Sequence, residues 1–313
     1  GMFPLYGSPD PYVNIGRVLD KLEPFYTGGG TFFHPEKRVL PLDVDQAKAV
    51  DINGKQLKMP CPSYHGPLLD KAVDSLKCMI EYGFDHVVYD EEMWGNGTTL
   101  CFCDRCKNKF AEFLQKKYPN VTYVDPVEAT LNPLKYANVE DAWWDFKTDQ
   151  VAEIYRVLRE TLETYSPKPG VKRQMWVWVD HSTTGKRYGA ITNRLTDYNK
   201  LGKYADLLVP MIYTPNSADV GMTMKNGEAL LEGSPGKIAG GLSANRTYEY
   251  YRVIANNLAP MDVYRYQILE TFFNGGQAVI IWAHSSALRC AYDHYQIATA
   301  VRTIMPVEDI LKF

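Results

Sequence analysis

The sequence predicts a TIM-type (β/α)8 barrel formed by one domain over residues 1–313. Short apolar runs alternate along the chain with longer segments of helical periodicity, which is typical of a parallel sheet covered by helices. A length of 313 residues suits one such barrel. Internal repeats, low-complexity segments and a linker that would divide the chain are absent from the sequence.

Eight runs are candidate strands, because each is short, apolar and flanked by turn-forming residues. They cover residues 3–6, 31–34, 59–64, 84–90, 174–180, 206–213, 237–242 and 277–282. The first two have the least supporting pattern. Eight strand-helix units in a chain of this length favour a barrel over an open sheet.

Helical segments fill the intervals between these runs. In residues 68–82 apolar side chains recur every three or four positions, which gives one buried stripe on a helix. The same spacing runs through residues 141–165 and stops at a Pro- and Gly-containing segment. Further helices are expected over residues 246–258, 261–273 and 287–305.

The composition excludes some classes of partner. The 34 basic and 37 acidic residues nearly cancel, so we expect no nucleic acid or anionic membrane surface to bind by charge. No run of about 18 apolar residues is present, which argues against a membrane span. Because the start Gly1-Met2 is typical of a tag remnant, the sequence does not distinguish a soluble cytoplasmic protein from an exported one whose signal was removed. The oligomeric state is also left open.

In a TIM-type barrel the active site is assembled from residues at the C-terminal ends of the strands. This rule selects the polar and aromatic residues that end or follow the predicted strands, namely Ser63, Tyr64, His65, Asp90, Glu91, Glu92, Asp180, His181, Tyr213, Asn245, Trp282 and His284. Asp90, Glu91 and Glu92 are three successive carboxylates at the end of the fourth predicted strand. Acidic residues at a strand end are also common as solvated loop charges, so the position alone does not assign a role.

Nine residues after Glu92 the chain enters a C-x-C-x-x-C cluster of Cys101, Cys103 and Cys106. Structural zinc takes four ligands in a tetrahedron, and such a run supplies three of them from one turn. Cys61, within the third predicted strand, is the best-placed fourth ligand. Free thiols or a disulfide are the alternatives. A bound zinc ion would hold still the loop that follows the three carboxylates.

Residues 90–110, DEEMWGNGTTLCFCDRCKNKF, resemble the acid/base segment of glycoside hydrolase family 42, the zinc-containing β-galactosidases. That family has Asp-Asn-Glu at the strand end, then a loop ending in Thr-Thr-Leu-Cys-Tyr-Cys, a third Cys and an amphipathic helix. The 21 positions align without a gap. The resemblance implies that Glu92 is the general acid/base and that Cys101, Cys103 and Cys106 bind zinc. Residues 59–63, which include Cys61, resemble the family's segment with the fourth ligand more weakly.

The sequence departs from the family at two places. Glu91 replaces the family's Asn, which would alter a contact to a sugar hydroxyl. The family's nucleophilic Glu lies at the end of the seventh strand, whereas residues 237–245, KIAGGLSAN, contain no carboxylate. The chain covers only the barrel of that family, so the family's trimer is not expected to carry over.

Glycoside hydrolysis needs one carboxylic acid to protonate the leaving oxygen and a second carboxylate to attack or to activate water. We expect Glu92 to be the acid, with its pKa raised by Asp90 and Glu91. Asp180, at the end of the adjacent fifth predicted strand, is the expected second carboxylate, although such a residue can also cap a helix or pair with a cation.

The remaining expected substrate contacts come from Asp90, Glu91, His65, Tyr213, Trp282 and His284. Tyr213, Trp282 and His284 would stack on sugar rings or contact sugar hydroxyls. His65 and His181 would orient a carboxylate. The hypothesis is therefore a glycosidase with a possible structural zinc and no organic cofactor. The alternative is a catalytically degenerate barrel that binds a carbohydrate without hydrolysing it.

Overall fold

The computed structural model describes residues 2–4, 28–33, 48–81, 86–91, 94, 100–165, 172–181, 194–214, 216–243, 260–282 and 291–304. The strands are β1 (Met2–Pro4), β2 (Gly28–Phe33), β3 (Lys48–Val50), β4 (Gln56–Pro60), β5 (His86–Glu91), β6 (Gln174–Val179), β7 (Leu207–Ile212), β8 (Lys237–Ile238), β9 (Gly240–Ser243) and β10 (Val279–Trp282). The helices are α1 (Gly66–Glu81), α2 (Asp104–Lys117), α3 (Pro126–Leu131), α4 (Ala137–Thr164), α5 (Tyr198–Leu201), α6 (Ser217–Leu230), α7 (Pro260–Phe273) and α8 (Ala291–Ile304).

The fold is mixed α/β and is built on a curled parallel sheet. The strand order is β1-β2-β5-β6-β7-β9-β10, and the short strand β8 pairs with β7. Because these strands are parallel, their C-terminal ends share one edge of the sheet. Within the described ranges no pairing joins β1 to β10, so closure into an eight-stranded barrel stays a prediction.

The third predicted strand, residues 59–64, is wrong as a member of this sheet. Its start belongs to β4, which pairs antiparallel with β3 in a separate two-stranded sheet, while β2 pairs directly with β5. Pro60 and Pro62 account for the difference, because a proline has no N–H to donate and two prolines in one short run disfavour a central strand. The strand that carries Asp90 is therefore third, not fourth, in the described strand order.

A proline also interrupts the ladder beside the predicted strand 237–242. β8 pairs with the first two residues of β7, and β9 pairs with the last two. Pro210 lies between these stretches of β7, where its missing N–H leaves a gap in the hydrogen-bonded ladder. The predicted strand 237–242 is therefore divided into the two short strands β8 and β9.

Both faces of the sheet are apolar. In β5, Val87 and Tyr89 belong to the main core, whereas Val88 belongs to a second cluster. Strand neighbours point to opposite faces, so the second cluster covers the other face of the sheet. Trp178 is its largest buried member, and a Cβ added to Gly241 would lie 2.5 Å from the Trp178 ring. The indole therefore fills the space over β9.

The helices α1, α4, α7 and α8 confirm four of the predicted helices, with somewhat different ends. The predicted helix 246–258 lies outside the described residues. Periodicity does not indicate α6, because Gly221 and Gly227 interrupt its apolar pattern. A Cβ on Gly227 would lie 1.9 Å from Ile238, so the glycine allows α6 to pack closely on β8. No helix in the described part of the chain is long and apolar enough to cross a bilayer.

Candidate active site and sulfur cluster

β5 leads the acidic run to the C-terminal edge of the sheet. Asp90 pairs in register with Phe32 on one side and with Trp178 on the other, and Glu91 is the last residue of the strand. Glu92 follows it and lies outside the described residues, as do Asn245 and His284. For Asp90, Glu91 and Trp282 the backbone is described, and each lies within the last two residues of its strand.

Asp180 follows β6, the direct neighbour of β5. It is partly buried, and its backbone carbonyl accepts a hydrogen bond of 2.6 Å from the hydroxyl of Tyr198 in α5. Burial and, to a lesser extent, the negative charge of Asp180 raise the pKa of Tyr198 well above its ordinary value, so this hydroxyl keeps its proton. The end of β6 is therefore fastened to α5.

An ionic network, formed by Lys117, Asp145, Asp149 and Lys200, fastens α5 in turn to α4. The Lys200 ammonium lies 2.7 Å from Asp145 and 2.5 Å from Asp149, and Lys117 lies 2.8 Å from Asp145. Tyr118 donates a further hydrogen bond of 2.7 Å to Asp145. Burial alone would raise the pKa of Asp145, but the hydrogen bonds from Lys117 and Lys200 outweigh it, so this pKa lies well below its ordinary value.

Tyr213 and His181 also follow strands of the sheet. Tyr213 comes directly after β7, is partly buried and packs against the second apolar cluster. His181 follows Asp180 and is exposed. The structure therefore brings Asp180 and Tyr213 to the same edge of the sheet, at the ends of adjacent strands.

His65 lies elsewhere, at the start of α1. Its Nε2 is 3.0 Å from the Pro62 carbonyl oxygen and 3.2 Å from that of Gln150. Burial and the nearby charge of Lys109 lower the pKa of His65, which favours a neutral ring. His65 lines a cavity of about 600 Å³ between α2, α4 and α5, with Tyr204 among the other lining residues. Within the described part of the chain, both hydrogen-bond partners of His65 are backbone carbonyls and neither is a carboxylate.

Four cysteines meet in one group, and we call Cys61, Cys101, Cys103 and Cys106 the sulfur cluster. Their sulfur atoms all lie within 4.8 Å of one another. The Sγ of Cys61 is 3.3 Å from that of Cys106 and 3.6 Å from that of Cys103. All four are free thiols, and three of them are buried. The predicted fourth partner, Cys61, therefore joins the other three, although it follows β4 and not a strand of the parallel sheet.

The sulfur cluster fits a tetrahedral metal ion. With Zn–S bonds of about 2.3 Å, the sulfur atoms of a zinc tetrathiolate lie about 3.8 Å apart, which is close to the separations of Cys61 from Cys103 and Cys106. Four thiolates are a typical donor set for structural zinc. The cluster could therefore hold a metal ion without a large rearrangement.

The surroundings of the sulfur cluster favour a thiolate at Cys103. The backbone N–H of Val50 donates to the Sγ of Cys101 at 3.3 Å, and the Ser63 hydroxyl lies 3.2 Å from the Sγ of Cys106. Cys103 is the N-cap of α2, where the helix dipole stabilises negative charge. Hydrogen bonds from Cys101, Cys106 and Cys61 hold the pKa of Cys103 well below its ordinary value, whereas hydrogen bonding within the cluster raises the pKa of Cys101 and that of Cys106. These features are compatible with cysteines that bind a metal ion.

The cluster also joins the β3–β4 hairpin to the segment that follows β5. Asp51 and Leu100 form an isolated bridge, and the Phe102 N–H donates to the Val50 carbonyl at 2.8 Å. The buried Trp94 donates from Nε1 to the Pro60 carbonyl at 3.0 Å. The hairpin is therefore fastened at two points to the part of the chain that leads from the acidic run into α2.

Lys147 is a residue of this region that the sequence does not indicate. Its side chain is fully buried in α4, and its Nζ donates to the Leu100 carbonyl at 2.9 Å. Burial lowers its pKa to about 7, and the charges of Cys106 and Cys101 act in the opposite direction. A lysine is normally assigned to the solvent face of a helix, so periodicity gives no signal for its burial.

Comparison with known proteins shows a shared fold. No protein-family profile matches the chain, and no curated protein matches it in sequence. Among solved structures the chain is similar to the PgaB (BpsB) glycoside hydrolase domain from Bordetella bronchiseptica, with a TM-score of 0.64, 9% identity, and coverage of 94% of this chain and 86% of that chain. The chain therefore has a glycoside hydrolase-like fold.

A family GH18 chitinase from Chromobacterium violaceum is also similar, with a TM-score of 0.40 and 13% identity. The match covers 74% of this chain and 34% of the chitinase. A TM-score this low carries no argument about function. The comparisons do not identify family 42, so the resemblance to that family rests on residues 90–110.

Proposed function

We propose that this chain is a glycoside hydrolase with its catalytic centre at the C-terminal edge of a single (β/α)8 barrel domain and with Glu92 as the general acid/base. The observation that carries the proposal is the pairing of β5 with β6, because Asp90 and Glu91, which directly precede Glu92, end one strand and Asp180 follows the other. The likeness to the PgaB glycoside hydrolase domain over 94% of the chain supports it.

Asp180 is the proposed partner of Glu92. Neighbouring strands lie about 4.8 Å apart, so carboxylates at two adjacent strand ends suit the separations of about 5 to 9.5 Å that glycosidases use. The shorter separations give retention and the longer ones inversion, and both are compatible with adjacent strands. Asp90 and Glu91 would raise the pKa of Glu92 by like-charge repulsion and keep it protonated for its role as an acid.

Aromatic residues at the same edge are proposed to hold the sugar. Tyr213 follows β7 and is partly exposed beside the second apolar cluster, where its ring could stack on a sugar. Trp282 ends β10, and His284 follows two residues later. These positions would form a wall beside the two carboxylates.

The sulfur cluster is proposed to hold a structural zinc ion, as the resemblance to family 42 implies. Zinc bound by four thiolates has no open coordination position and acts in folding and not in catalysis. The cluster's own contribution is to fasten the β3–β4 hairpin to the segment after β5. That segment begins at the acidic run. The connection through the sulfur cluster would therefore keep Glu92 in position for proton transfer.

A leaving-group series on Glu92→Gln tests the proposal. We expect the wild-type protein to cleave at least one member of a panel of phenyl glycosides. On that sugar, Glu92→Gln should lower kcat/KM about 100-fold or more, because the departing phenolate is no longer protonated. With the 2,4-dinitrophenyl glycoside of the same sugar, Glu92→Gln should slow the bond-cleaving step far less. Its 2,4-dinitrophenolate leaving group departs without being protonated. Circular dichroism should show an unchanged fold.

Glu112→Gln is the matched control, because Glu112 is an exposed residue of α2, and it should retain wild-type activity. A fully active Glu92→Gln variant would refute the assignment of the acid. A wild-type protein that binds a sugar in calorimetry but cleaves no glycoside would instead favour the degenerate, carbohydrate-binding barrel.

A further inference from the structure

The environment of Lys147 is unusual for a lysine. Its side chain is fully buried in α4, and its Nζ lies 3.8 Å from the ring centroid of Trp144 and 5.3 Å from that of Trp143. The Phe102 ring centroid is 5.4 Å away. An ammonium group in such an apolar cage loses its hydration, and cation–π contacts return only part of that energy. A burial of this kind requires compensating negative charge nearby.

The negative charges that act on Lys147 are those of Cys106 and Cys101 in the sulfur cluster and, to a lesser extent, that of Glu140 in α4. The Nζ of Lys147 donates to the carbonyl of Leu100, the residue directly before Cys101. The ring of Phe102 in the cage belongs to the residue between Cys101 and Cys103. Lys147 therefore contacts two residues that flank Cys101 in the chain, the backbone of Leu100 and the ring of Phe102.

The net charge of a zinc-loaded cluster indicates what Lys147 would do there. Zinc(II) with four thiolates carries a net charge of −2, which is costly in a buried site without a counter-charge. A buried ammonium reduces the net charge of the region to −1. Partners outside the ligand set commonly raise metal affinity by 10- to 100-fold.

We propose that Lys147 is the buried counter-charge of the sulfur cluster and that it sets the affinity of the four thiolates for a divalent metal ion. The inference rests on the zinc site proposed above and adds a residue that neither the cysteine spacing nor the family resemblance indicates. Lys147 acts through charge and not as a ligand.

Lys109 provides a matched control, because it also contacts a backbone carbonyl beside the cluster. Its Nζ donates to the Ser63 carbonyl at 2.9 Å, the same distance as the bond from Lys147 to Leu100. Lys109 is only partly buried, and Ser63 contacts Cys106 through its hydroxyl. Both lysines therefore hold a carbonyl next to the cluster, but only Lys147 combines this contact with full burial.

The test is the zinc dissociation constant of the reduced full chain, measured by competition with a chromophoric chelator. Lys147→Met should raise it about tenfold or more, whereas Lys109→Met should stay within about twofold of wild type. Lys147→Gln keeps a donor for the Leu100 carbonyl without the charge, so it should also bind zinc more weakly. It serves as the second variant if Lys147→Met does not fold.

The melting temperatures of the metal-free and zinc-loaded forms give a second readout. Lys147→Met should lower the zinc-loaded value and leave the metal-free value unchanged or higher, because the variant removes the desolvation cost of a buried ammonium. Wild-type zinc affinity in Lys147→Met or in Lys147→Gln would overturn the inference and leave the zinc site standing. A wild-type protein that binds no zinc would overturn both.

Discussion

The chain fastens the ends of two neighbouring strands by different chemistry. After β5, four soft thiols meet in the sulfur cluster and connect the β3–β4 hairpin to the segment before α2. After β6, the ionic network fastens α4 to α5, and Tyr198 of α5 binds the Asp180 carbonyl. The first brace is proposed to need a metal ion, whereas the second uses charges that the chain itself supplies.

The comparison teaches that the two proposed catalytic carboxylates can be disturbed separately. A chelator should remove the metal ion from the four thiolates and so loosen the segment that carries Glu92. Loss of a buried charge in the ionic network should loosen the support of Asp180. If chelation and loss of the buried charge loosened the same segments, the two strand ends would not be held independently.

The largest expected effect comes from loss of the metal ligands. Cys103→Ser should lower the free energy of unfolding by about 3 kcal/mol or more, because binding of structural zinc contributes directly to folding. Chemical denaturation with and without a chelator measures this change, and the chelator should have little further effect on the variant. Cys78→Ser, in a partly buried thiol of α1 outside the cluster, is the control and should keep the chelator response.

Asp145→Asn should have the next largest effect, about 2 kcal/mol of lost stability, which is typical of hydrogen bonds to charged groups. The amide cannot balance the charges of Lys200 and Lys117, and Lys200 is mostly buried. Chemical denaturation should give the same loss with and without a chelator. Asp141→Asn, on an exposed face of α4, should cost much less. A loss that disappears after chelation would contradict the separation of the two braces.

The contribution of Asp145 should also depend on pH. Its pKa in the folded protein lies below its ordinary value, so its stabilising effect is present above about pH 4, the pKa of an unfolded aspartate. The effect is lost as the pH falls from there towards the folded-state pKa. The stability difference between wild type and Asp145→Asn should therefore shrink below about pH 4. A difference that grows on acidification would contradict the assignment.

The smallest expected effect is that of Tyr198→Phe. The variant removes the hydroxyl that donates to the Asp180 carbonyl, and such a bond contributes about 1 kcal/mol. Thermal unfolding should show a small loss, and chelation should not change it. An unchanged stability would mean that this contact does not hold the end of β6.

The sequence was sufficient for those features that depend on local pattern. The spacing of Cys101, Cys103 and Cys106 predicts a cluster because three ligands come from one turn, and Cys61 does meet them. Apolar periodicity found α1, α4, α7 and α8 because each buries one stripe. The parallel order of the strands followed from their alternation with helices.

Features that depend on distant contacts could not be predicted in the same way. The run 59–64 is apolar enough for a central strand, but Pro60 and Pro62 disfavour that position, and the hairpin strand β3 is too short to be recognised. The burial of Lys147 depends on Leu100, which is 47 positions away. Long-range contacts of this kind leave no periodic signal in the chain.

The central claim is that a metal ion held by the sulfur cluster braces the segment that carries the acid. Its most direct test is elemental analysis of the wild-type protein purified without chelator, next to Cys103→Ser. We predict about one zinc ion per wild-type chain and much less in the variant. Less than about a tenth of a zinc ion per wild-type chain, from protein supplied with zinc and kept reduced, would contradict the claim.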